Sequence, residues 1–139
     1  MKHFSVGAVL LGTLSLGACA TTVSHEKADK AAERLAEFEA TGERTSCLSL
    51  RRITSITPLD DKTFLVRAGN DYYVNKVSGR CAGADSNFNR LQYRLNVAQL
   101  CRNEIVTVVD NTQGFTVGSC GLNDFERLEK KEPPSDDAS

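Results

Sequence analysis

Tryptophan is absent from the chain, and histidine occurs only at His3 and His25. A histidine-built metal site is therefore excluded, and imidazole-based nucleophilic catalysis loses its usual base. Neither sign of charge is in excess: 17 Lys and Arg stand against 18 Asp and Glu, a formal net charge of −1. A general nucleic-acid binder needs a basic excess to displace phosphate counterions, so no nucleic-acid partner is expected. Gly-x-Ser-x-Gly, a phosphate loop and Cys-x-x-Cys are all missing, so the common signatures of hydrolases, nucleotide binders and thiol redox centres are missing too. Asp60 and Asp61 are adjacent and point apart in an extended turn, whereas acid–base carboxylates must converge. The chain is expected not to be an enzyme, with no cofactor and no metal. At 139 residues it has the material for one domain only.

What is present begins with an address. Met1-Lys2-His3 is a short positive segment, and Phe4 to Ala18 is apolar apart from small residues. That run, about fifteen residues, is too short to span about 30 Å of hydrocarbon and suits a signal peptide. Leu16-Gly17-Ala18-Cys19 has the form of a bacterial lipobox: an aliphatic residue, two small residues, then the cysteine that receives lipid. Residues 1–18 are thus expected to be a lipoprotein signal peptide, with Cys19 the lipidation site carrying palmitate-type chains. Each buried methylene contributes about 0.8 kcal/mol, so several chains anchor the protein effectively permanently. Ala20 follows the cysteine, where an aspartate would favour inner-membrane retention. The expected location is the outer membrane, facing the periplasm.

Removing Cys19 leaves Cys47, Cys81, Cys101 and Cys120, an even set suited to two disulfides in an oxidising compartment. Zinc sites usually take ligands in close pairs, which these are not. Four cysteines allow three connectivities. The expected one is Cys47–Cys120 with Cys81–Cys101, because the first and last strands of a small closed sheet are often neighbours. The alternative pairs Cys47–Cys81 with Cys101–Cys120.

The mature chain divides by period. From Thr21 to Gly42 the residues Ala28, Ala31, Ala32, Leu35 and Phe38 recur at helical spacing, with Ser24 as a candidate cap and Gly42 as a stop. Residues 19–45 are expected to form a lipid-anchored helical tether. Its stripe could bind a partner, but docking of Leu35 and Phe38 on the following domain explains it more simply. From Cys47 the period changes to two, with a bulge or kink expected near Arg52–Ser55. Thr63–Ala68 and Tyr72–Val77 flank Gly69-Asn70 and form the clearest hairpin. Leu91 to Val97 alternates, Ile105–Val109 is nearly all β-branched and suits a central strand, and Phe115–Cys120 returns after a turn. The fold expected for residues 46–128 is mostly β: a small disulfide-stapled barrel or sandwich of five to six strands after one N-terminal helix. Residues 129–139, with Pro133 and Pro134, are expected to be a disordered tail.

Several short segments, in order, carry a resemblance: Cys47-Leu48-Ser49-Leu50-Arg51-Arg52-Ile53, Leu59-Asp60-Asp61-Lys62-Thr63-Phe64, Tyr73-Val74-Asn75-Lys76-Val77, Cys81-Ala82-Gly83, Leu100-Cys101, Ile105-Val106-Thr107-Val108 and Ser119-Cys120-Gly121-Leu122. Together they resemble a proteobacterial family of small exported four-cysteine proteins of unknown function. The resemblance implies export, four paired cysteines and a compact β domain, and it implies no activity.

The function expected from the residues is that of a non-catalytic binding or accessory module of the cell envelope. Its partners would be the membrane, through lipidated Cys19, and an envelope protein or cell-wall component. The alternatives are a structural envelope lipoprotein or an inhibitor of an attacking cell-wall hydrolase. Tyr72 and Tyr73 must place one ring inward and one outward, and an outward tyrosine beside Arg67 would suit an interface. Arg67, Tyr72 and Tyr73 are therefore the candidate partner-binding residues.

Overall fold

A computed structural model describes residues 20–132. Residues 1–19 and 133–139 lie outside that range, so the signal-peptide and Cys19 lipidation readings and most of the tail reading fall outside it as well. Within it, one helix α1 (Ala20–Leu35) is followed by ten strands: β1 (Phe38–Thr45), β2 (Cys47–Ser49), β3 (Ile53–Pro58), β4 (Thr63–Ala68), β5 (Asp71–Lys76), β6 (Asn89–Tyr93), β7 (Gln99–Cys101), β8 (Ile105–Asp110), β9 (Thr116–Gly121) and β10 (Phe125–Lys130). They form a five-stranded sheet in the order β1-β10-β5-β4-β3, a three-stranded sheet β6-β8-β9, and a two-stranded ribbon β2-β7. The architecture is mostly β and sandwich-like; the sheet does not close into a barrel.

Alternation on the strands explains the layers. Phe64, Val66 and Ala68 of β4 face inward with Tyr73 and Phe125, and meet Val106, Val108 and Cys120 of the three-stranded sheet and Leu48 and Leu100 of the ribbon. The opposite face of the five-stranded sheet carries Leu65, Val74 and Leu128 with Phe38, and Leu35 of the helix packs there. Both faces of the large sheet are thus apolar. This is why β10 reads poorly: Phe125 serves one face and Leu128, an odd number of positions away, serves the other.

The clearest hairpin of the sequence is β4–β5, turning at Gly69 with φ +65°. The expected kink is a register shift between Ile53 and Ser55 where β3 pairs with β4. The β-branched run forms β8, the central strand of its sheet.

Four expectations are corrected. The helix ends at Leu35, and residues 38–45 are a strand of the domain and no part of a tether. Gly42, with φ +82°, sits at the register shift between β1 and β10 and does not cap a helix. Ser24 lies inside α1 and not at its start. The disulfides are Cys47–Cys101 and Cys81–Cys120, which is neither of the connectivities weighed from the sequence. The premise that first and last strands are neighbours is met, since β1 pairs with β10. The error was to place Cys47 and Cys120 on those strands; Cys47 opens the ribbon, directly across from Cys101.

Candidate functional site

The hairpin singled out from the sequence lies within the five-stranded sheet, with β10 on one side and β3 on the other. Tyr73 points into the main core and is buried. Tyr72 points to the other face, where its ring meets Phe38 at 4.9 Å between centroids and an interplanar angle of 49°. The Arg67 guanidinium sits 5.8 Å from the Tyr72 ring centroid, a cation–π contact. The one-in, one-out parity therefore holds, but Tyr73 has no surface to offer. Tyr72 is half-covered, and only Arg67 is exposed. Both tyrosines serve the packing of the sheet.

Charge is organised around Arg127 of β10. It donates to Glu43 Oε2 at 3.1 Å and to Asp71 Oδ1 at 3.2 Å, and Asp71 also accepts from Arg52 at 2.8 Å. The Glu43 hydrogen bond, reinforced by the Asp71 charge, raises the pKa of the guanidinium. This chain of ions ties β1, β10, β5 and the turn before β3 together. Asp60 accepts the Lys62 N–H, while Asp61 pairs with Arg80. The adjacent carboxylates thus serve two separate local structures. Buried Asn75 exchanges hydrogen bonds with the Asn123 backbone, at 2.6 Å to its carbonyl and 3.1 Å from its N–H. No group of three or more His, Cys, Asp or Glu suited to a metal occurs among the described residues.

Two open grooves flank the three-stranded sheet. One, of about 520 Å³, runs over its outward face between Gln92, Arg94, Ile105, Thr107 and Thr116. The other, of about 430 Å³, lies in the seam between edge strands β3 and β6, lined by Ile53, Ile56, Leu91 and Tyr93.

Among the described residues the most exposed aromatics lie on turns at one end of the same sheet. Phe88 is 73% exposed and Phe115 is 52% exposed. The Phe88 carbonyl accepts from Asn111 N at 2.9 Å, and the Phe115 carbonyl accepts from Asp110 N at 3.0 Å. Both residues therefore flank the end of β8. The loop that presents Phe88 is held firmly. Cys81 is bonded to Cys120 of β9, and the Asn89 amide donates to the Gly83 carbonyl at 2.9 Å. Asp85 in that loop pairs with Lys27 of the helix at 2.9 Å. Sequence reasoning passed over this end. The available signal was two phenylalanines set in turn-forming sequence, where burial is hard to arrange.

The folded unit is a disulfide-stapled β-sandwich with a docked N-terminal helix. The chain belongs to a family of unknown function (DUF6491), which matches over residues 1–131. No curated protein and no solved structure shows significant similarity to it.

Proposed function

We propose that the protein is an exported lipoprotein, held to the periplasmic face of the outer membrane through Cys19, whose β-sandwich acts as a non-catalytic binding module of the envelope. The observation that carries this reading is the cysteine pairing. All four cysteines after Cys19 are joined in two disulfides, as suits an oxidising compartment, and Leu16-Gly17-Ala18-Cys19 has the form of a lipobox. His25, the one histidine after Cys19, is exposed on the helix and remote in sequence from the sandwich residues. The carboxylates of Asp61, Asp71 and Asp85 are engaged with Arg80, Arg52, Arg127 and Lys27. A lipid anchor raises the effective concentration of the domain toward partners on the same surface, so a modest interface suffices.

The test is detergent phase partitioning of the full chain beside Cys19→Ala, followed by in-cell crosslinking and recovery of the mature protein. The wild type is expected in the detergent phase and the variant in the aqueous phase, with specific crosslinked species. A wild type that partitions into water overturns the anchor. A purified domain that turns over an envelope substrate overturns the binding-module reading.

A further inference from the structure

We infer that the end of the three-stranded sheet bearing Phe88 and Phe115 rests in the lipid interface, so that the sandwich is oriented on its membrane and does not swing from a free tether. The inference builds on the lipid anchor at Cys19. Its own grounds are the two exposed rings and their link to the helix. Isolated exposed hydrophobics are ordinary, but two phenylalanines, each at least half exposed, occupy turns on either side of the same end of β8. Aromatic side chains gain by entering the headgroup boundary.

The anchor and the tip are mechanically connected. Helix α1 is described from Ala20, the residue after Cys19 in sequence, and Lys27 lies about 10 Å of helical rise further on. Lys27 pairs with Asp85, whose side chain is only 12% exposed. Asp85 is three positions before Phe88, in a segment folded back on itself by Ser86 N to the Gly83 carbonyl and Asn89 N to the Ser86 carbonyl, each 3.1 Å. It is thus the N-terminal half of the helix, next to the anchor, that is fastened to the loop carrying Phe88.

Local charge at this end is close to balanced, so it does not repel a lipid surface. Asp85 pairs with Lys27, while Asp110 accepts the N–H groups of Thr112 and Gln113 at 2.8 and 2.7 Å and keeps its negative charge. Arg90 binds only the neutral Asn111 side chain, at 3.1 Å, and keeps its charge for an anionic headgroup.

The absence of tryptophan from the chain gives a clean reporter. The full lipidated protein, carrying Phe88→Trp, Phe115→Trp or Ile105→Trp one at a time, is reconstituted into phosphatidylethanolamine–phosphatidylglycerol vesicles whose acyl chains are brominated near the headgroup. Ile105 is exposed at the opposite end of β8 and serves as the reference. Each exchange places a large apolar side chain at an already exposed position, and circular dichroism confirms folding. Loss of fluorescence and a blue shift for Phe88→Trp and Phe115→Trp, with none for Ile105→Trp, is the expected result. Unquenched emission at all three positions, or equal quenching at all three, overturns the seated tip, and leaves the anchor standing if the protein still floats with the vesicles. Failure to float overturns the anchor and the tip with it. As a second measurement, Phe88→Ser with Phe115→Ser in the Ile105→Trp background is expected to loosen the orientation and let the reference residue reach the bromines. No change there overturns the orienting role.

Discussion

Gly118 shows how one residue can be fixed by tertiary structure alone. It lies in β9, where the loop after Cys81 crosses, and an added Cβ would stand 2.6 Å from the Ala82 carbonyl oxygen and 3.0 Å from Ala82 N. Backbone cannot yield as a side-chain tip can. Gly118→Ala is expected to cost about 2 kcal/mol of unfolding free energy, the scale of overpacking in a dense interior. Urea denaturation against wild type measures it. Gly42 has open space around its Cβ position but φ +82°, so Gly42→Ala is expected to cost about 1 kcal/mol by backbone strain alone. Asn75 makes the same point for polar groups. Its side chain is fully buried and makes two part-buried hydrogen bonds to the backbone of exposed Asn123, and Asn75→Ala is expected to cost about 1 kcal/mol through the loss of those bonds. Nothing in the sequence around Gly118 or Asn75 marks them. Each matters because of a residue distant along the chain.

Elements were legible where one face is apolar and the turn chemistry is explicit. The β4–β5 hairpin, with its Gly69-Asn70 turn, and the β-branched strand β8 meet both conditions. Strand β1 meets neither. Its sequence, Phe-Glu-Ala-Thr-Gly-Glu-Arg-Thr, carries one buried apolar residue and is set by pairing with β10. Phe38 continues the helical stripe of α1 in register, so period alone extends the helix across a boundary that the pairing imposes. The ribbon β2–β7 is three residues a side and depends on a disulfide across it, too short for any periodicity to be read. The same physics governs helix docking. Leu35 and Phe38 hold its C-terminal end, and Lys27 holds the other half through Asp85, whose second oxygen is buried without a hydrogen bond. Lys27→Ala is expected to strand that carboxylate and weaken docking by about 1–2 kcal/mol. Hydrogen exchange should then speed up in residues 25–34 while β4 keeps its protection. Lys30→Ala removes an exposed i,i+4 pair with Glu26 at 2.8 Å, and is expected to leave stability and helix exchange close to wild type. Equal acceleration in both variants would mean that the Asp85 pair does not hold the helix.

At the scale of the molecule, the two disulfides divide the work of a small core. They separate their cysteines by 54 and 39 residues. Chain-entropy arguments give each about 4 kcal/mol of stabilisation, a large part of a typical 5–15 kcal/mol total. Their exposure differs. Cys81 and Cys120 are buried in the core of the sandwich, while Cys47 and Cys101 are half-exposed on the ribbon. Thiol–disulfide exchange needs access for the attacking thiolate. Under mild reduction of the native protein, alkylation is therefore expected at Cys47 and Cys101 well before Cys81 and Cys120, read by peptide mass mapping. The consequences should also differ. Cys47→Ala with Cys101→Ala frees a ribbon of two three-residue strands, so the variant should fold with a lower urea midpoint and leave the Phe88 end intact. Cys81→Ala with Cys120→Ala releases the loop that carries Asp85 and Phe88 from β9. It should raise hydrogen exchange in residues 82–90 and in the helix together, because Lys27 grips that same loop. If the helix keeps its protection while the loop loosens, the loop is not what fastens the helix, and the helix is not coupled to the Phe88 end.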